Sequence, residues 1–156
     1  MEFGPSEVYG NVTFCDDIRI ELDGRVSLIG CFVGEIIFPG QFPLTVPKLG
    51  INIQFFELPE SEKKNLFLEV LFPGDSDLQP SFVSQIDVAN LTDKTNASNL
   101  TDQDTRRCVS FNLVLSPVNI RQEGYIRARV KKGQNIYRIG RVRVSAQAFI
   151  LPPISN

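Results

Sequence analysis

Residues 126–148 read IRARVKKGQNIYRIGRVRVSAQA, and the fold is decided by how their side chains alternate. Ile126, Ala128 and Val130 alternate with Arg127, Arg129 and Lys131, which on an extended strand places apolar groups on one face and cations on the other. Lys132 to Asn135 then turns the chain into a return strand, Tyr137 to Ala148. Within that strand the apolar parity changes from Tyr137 and Ile139 to Val142 and Val144. The residue at the change is Gly140, so a β-bulge is predicted there.

The same period of two recurs upstream. Leu49, Ile51, Ile53 and Phe55 alternate with Asn52 and Gln54, giving one buried and one wet face between Pro47 and Pro59. Leu66, Leu68, Val70 and Phe72 repeat the pattern before Pro73-Gly74, with Phe67 and Leu71 implying that the second face is partly covered. Val109, Phe111, Leu113 and Leu115 form a third run, stopped by Pro117. Asp23-Gly24 between Ile18–Leu22 and Arg25–Ile29 predicts a tight hairpin with a type I′ turn. Phe82 to Ala89 is compatible with a strand or a short helix, and Asn90 to Thr105 reads as a long exposed loop. About nine strands without an amphipathic helix predict an all-β fold, an antiparallel two-sheet sandwich, with a partly open β-barrel as the alternative. No internal repeat is visible, and residues 1–156 read as a single domain.

A chain of 156 residues buries roughly 70% of its unfolded surface and can fold without staples. No secretory signal opens it and no stretch approaches the ~20 apolar residues of a membrane span, which gives a cytoplasmic expectation. Cys15, Cys31 and Cys108 are odd in number, which favours reduced, buried thiols, and no zinc-type spacing links them. With no histidine, the chain cannot build a Ser-His-Asp triad, a Cys-His pair or a histidine-ligated metal centre. Carboxylate pairs and lysine bases remain available, so an enzyme without histidine chemistry stands as a disfavoured alternative. No motif calls for a cofactor.

Cys15-Asp16-Asp17 sets a thiol beside two acids, which oppose the thiolate that reactivity requires. The trio reads as a bend or bulge between the first strand and the Asp-Gly hairpin, its carboxylates bonding local backbone N–H groups. Asp75 and Asp77, with Asp16, Asp17, Asp102 and Asp104, supply oxygens of the kind calcium wants, but in no recognised loop spacing. No metal ligand is therefore assigned. Glycosylation triplets begin at Asn11, Asn90, Asn96 and Asn99, three of them in the Asn/Thr-rich loop whose composition generates such triplets.

Net charge is −2, unevenly distributed along the chain: residues 1–104 carry 6 basic and 17 acidic groups, residues 105–156 carry 10 and one. The candidate site is the cationic ribbon of Arg127, Arg129 and Lys131, joined by Arg141 and Arg143 on the return strand. Five cations on one face repel one another unless acids face them, either from a neighbouring strand such as that of Glu69 or from another molecule. A protein partner or a second copy of the acidic chain fits this face. Nucleic acid ranks last, because no aromatic is interleaved among the arginines for base stacking.

Phe14-Cys15-Asp16-Asp17-Ile18-Arg19, Gly24-Arg25-Val26-Ser27-Leu28-Ile29-Gly30 and the run from Phe38-Pro39 to Leu49 resemble the N-terminal signature of a bacterial family of small β proteins to which no function is assigned. Pro117 to Tyr125 and the strands after it are similar to the closing strands of immunoglobulin-like or C2-like sandwiches, a likeness of architecture alone. The combined expectation is a bacterial or phage-associated, non-catalytic interaction or structural module. Its basic C-terminal hairpin would meet a protein partner or another copy of itself. A calcium-dependent C2-like ligand or lipid binder is the alternative.

Overall fold

A computed structural model describes residues 8–58, 65–86 and 106–147. Eleven strands form within these residues: β1 (Tyr9–Ile20), β2 (Val26–Cys31), β3 (Glu35–Pro39), β4 (Leu44–Val46), β5 (Leu49–Glu57), β6 (Leu66–Leu71), β7 (Phe82–Ile86), β8 (Arg107–Leu115), β9 (Val118–Ile120), β10 (Gly124–Lys132) and β11 (Asn135–Gln147). They make a four-stranded sheet in the order β2-β1-β5-β8, a five-stranded sheet in the order β3-β11-β10-β6-β7, and a short ribbon of β4 with β9. The arrangement is an all-β sandwich that does not close into a barrel. One core joins the layers, with Phe14, Ile51, Ile53, Phe55 and Phe111 from the first sheet and Leu68, Val70, Ile126, Val130, Val142 and Val144 from the second.

Among the described residues all pairings within the sheets are antiparallel except one: β3 runs parallel to β11, with Glu35 beside Arg143 and Pro39 beside Gln147. This strand departs from the antiparallel pattern of the sandwich because β3 is reached by a crossing rather than a hairpin. Phe32 N–H still donates to Phe14 on β1, while Gly34 carbonyl already accepts from Arg143 on the other sheet. The crossing therefore sets the direction of β3. Phe82–Ile86 is a strand, which settles the described part of that segment; the predicted loop and its three glycosylation triplets lie outside the described residues.

The first hairpin forms, but not with the expected two-residue turn. Gly24 N–H donates to the Glu21 carbonyl and Glu21 N–H to the Arg25 carbonyl, so Leu22, Asp23 and Gly24 make a three-residue loop with Gly24 at φ 82°. A left-handed glycine after a type I turn relaxes the strands into register and leaves Leu22 exposed. β1 also passes without interruption through Cys15-Asp16-Asp17, where a boundary was expected. The partners change instead: β5 pairs with Tyr9 to Cys15, and β2 with Cys15 to Ile20. Cys15 is buried in space left by Gly50, whereas Cys31 and Cys108 are exposed free thiols, contrary to the expectation of three buried ones.

At one end the layers are tied by charge. Glu57 on β5 is 0% exposed, accepts from Arg107 Nε at 3.0 Å on β8, and is ion-paired with Lys132 on β10 of the opposite sheet.

Candidate functional site

The site is the outer face of the hairpin β10–β11. Ile126, Ala128 and Val130 are buried inward, which obliges Tyr125, Arg127, Arg129 and Lys131 to point outward. On β11 the register shifts by one residue between Ala128 and Arg129, so that Ala128 faces Gly140 and Arg129 faces Arg138. Ile139 is the extra residue, and the predicted bulge sits at Ile139–Gly140. Its sequence reason is packing: a Cβ at Gly140 would overlap Val12 of β1, so only glycine lets the strands approach there.

The five predicted cations lie on this face, but their surroundings differ. Arg129 is only 8% exposed; its Nε donates to Glu69 Oε2 at 2.5 Å and its Nη2 to the Asp77 carbonyl at 2.5 Å. Arg127 donates to Asp77 Oδ1 at 2.8 Å and to the Asp75 carbonyl at 3.2 Å. Both are held by the connection between β6 and β7, which folds back over the sheet. Asp75 braces that connection by accepting from Phe72 N–H at 2.8 Å and Ser81 N–H at 3.0 Å. The same cover buries Leu71 on the outward side of β6, as its sequence position implied.

On β11, Arg143 lies 3.5 Å from Glu35 of β3, an exposed pair of little energetic weight. Arg141 has no acid within ion-pair distance among the described residues and stacks over the Tyr125 ring at 4.3 Å. Lys131 is half-buried, likewise with no acid at ion-pair distance among the described residues. Arg138 also belongs to this face, exposed and opposite Arg129. Sequence reasoning left it out, although the parity change at Gly140 is the signal that brings it there.

A groove of about 480 Å³ runs between the arginines, with Leu71, Asp77, Ala128, Ile139 and Gly140 completing its lining. A second cavity of about 730 Å³ adjoins it through Asp77, Arg129, Arg138 and Ile139 and extends to Val8 and to Tyr9 at the start of β1. The outer face of the other sheet contrasts with this one. There Asn11, Thr13, Asn52, Gln54, Ser110 and Asn112 share one face of β1, β5 and β8, and Asn52 donates to Asn112 at 2.7 Å.

The remaining sequence candidates are employed locally. Asp17 accepts from Ile18 N–H at 3.0 Å and from Lys48 Nζ at 3.0 Å, and that lysine, helped by Arg19, holds its carboxyl below the ordinary value. Burial pushes the Cys15 thiol up, with Cys31 and Asp16 adding to the rise. Neither group lines the two cavities. Among the described residues no group of three or more His, Cys, Asp or Glu side chains is placed to hold a metal ion, and no helix is long and apolar enough to cross a membrane. Compared with protein-family models, curated proteins and solved structures, the chain shows no match.

Proposed function

We propose that the chain is a non-catalytic interaction module that presents the outer face of β10–β11 to an acidic surface, belonging either to a protein partner or to a second copy. One observation carries the reading. Arg127 faces Arg141 and Arg129 faces Arg138 across the ladder, two successive like-charge pairs, and the acids within reach satisfy only the β10 members. Like charges directly opposed across strands destabilise a sheet, and an acid supplied from outside removes that cost.

Light scattering over a range of protein and salt concentrations tests the reading. The expected result is a mass above one chain at low salt that falls to the monomer as salt rises. Arg138→Glu/Arg141→Glu, two exposed changes, should abolish the association without unfolding the chain. A monomer under every condition removes the second copy and leaves an acidic partner of another sequence. Association that ignores both salt and the double substitution refutes the role of this face.

A further inference from the structure

The bulge at Ile139–Gly140 changes what the hairpin displays. Residues 138 and 141 are three apart, so on an uninterrupted strand they would point to opposite faces. The extra residue returns both to the outer face and sets them across from Arg129 and Arg127, completing a square of four guanidinium groups. Two corners are already engaged, Arg129 with Glu69 and Arg127 with Asp77. The other two, Arg138 and Arg141, are exposed and have no acid at ion-pair distance among the described residues. The Tyr125 ring, 4.3 Å from Arg141 Cζ, helps to hold that guanidinium group in place.

The space between the rows has the size of a ligand site, about 480 Å³, and Asp77 is the one acid in its lining. A carboxylate offers two oxygens, which a single guanidinium fork can satisfy. Two open forks on one strand, backed by two further cations, suit an anion with three terminal oxygens and a charge near −2. We propose that this groove binds a phosphoryl group. Arg138 and Arg141 are the donors that contact it, and Arg127 and Arg129, tethered by Asp77 and Glu69, supply the surrounding positive field. The assignment rests on reading this face as a binding surface and names the chemistry it accepts.

Titration of the arginine Nε–Hε resonances of the full chain tests it, using inorganic phosphate, phosphoserine and glutamate in turn at constant ionic strength. Phosphate and phosphoserine should give saturable shifts at Arg138 and Arg141, and glutamate should bind at least about tenfold more weakly. Equal response to phosphate and phosphoserine assigns the site to the phosphoryl group itself; a response to phosphoserine alone assigns it to a phosphorylated side chain. Arg138→Lys/Arg141→Lys, which keeps the charge and removes the forks, should weaken binding about tenfold, and the matching Gln variant should abolish it. Shifts that sodium chloride reproduces, glutamate binding as tight as phosphoserine, or affinity unchanged in the Lys and Gln variants would overturn the proposal. Salt-sensitive self-association that phosphate neither joins nor displaces would leave the interaction reading standing and defeat the phosphoryl assignment alone. Phosphate binding by a chain that never associates would do the reverse for the second copy.

Discussion

Replacing Glu57 by Gln should loosen the tie between the two sheets. The carboxylate is fully buried and is contacted by two cations, Arg107 through Nε and a terminal nitrogen and Lys132 through Nζ. The amide keeps the shape but removes the charge and turns one acceptor into a donor, so a cationic N–H is left facing another N–H. Breaking a buried ion pair by removing one partner costs about 3–5 kcal/mol. Arg107 and Lys132 retain 13% and 11% side-chain exposure, so water recovers part of their hydration and the lower figure, about 3 kcal/mol, applies. With a urea m value of about 2 kcal/mol/M, the unfolding midpoint should fall by about 1.5 M at unchanged m. Lys132→Met leaves Glu57 its arginine and should cost less, and the double variant less than the sum of the singles. A midpoint within about 0.3 M of the parent would show that this buried charge does not hold the layers together.

Two further outcomes follow from single contacts. Gly140→Ala drives a methyl into Val12 at the bulge and should destabilise by about 1–3 kcal/mol in the same denaturation assay; a neutral result would mean that β1 and β11 can separate freely there. Lys48→Met should raise the Asp17 titration midpoint toward the ordinary carboxylate value, read from its carboxyl carbon resonance. Because the folded-state value lies below the unfolded one, the Asp17 contribution to stability is present at neutral pH. It is lost as pH falls through the folded-state value, and the variant should lose that part of the acid limb. An unmoved midpoint would assign the shift to Arg19 and the Ile18 N–H instead.

How much of this was legible in the sequence depends on the range of the determining contact. Strands at 49–55, 66–71, 109–115 and 126–144 are written in neighbouring residues and form as expected, although Asn52, on the expected wet face, is buried. So does the bulge, because the parity change and the glycine are adjacent. The three-residue turn at Leu22-Asp23-Gly24 was missed because an apolar residue in a run of alternating ones looks like strand, and nothing local shows that Leu22 is left exposed. The parallel seating of β3 was invisible, since its partner lies more than a hundred residues away. Burial of Cys31 and Cys108 was inferred from residue type, and their positions on sheet surfaces overrode it.

Read as a string, Arg127, Arg129, Lys131, Arg141 and Arg143 are equivalent, and the sequence offers no reason to rank them. The fold separates them by what lies above each strand. Over β10 the connection from β6 to β7 brings Asp77 and two backbone carbonyls, and Glu69 pairs from the adjacent strand. Arg127 and Arg129 therefore work as the struts of that connection, and the energetic penalty of replacing the buried Arg129 falls on folding, because it strands Glu69. Over β11 no such cover reaches Arg138 or Arg141 among the described residues. Replacing them should therefore remove like-charge repulsion from the monomer, the opposite of the effect expected at Arg129. The bulge is what makes that division possible. It brings Arg138 to the outer face, where with Arg141 it lines the groove that Asp77 also borders.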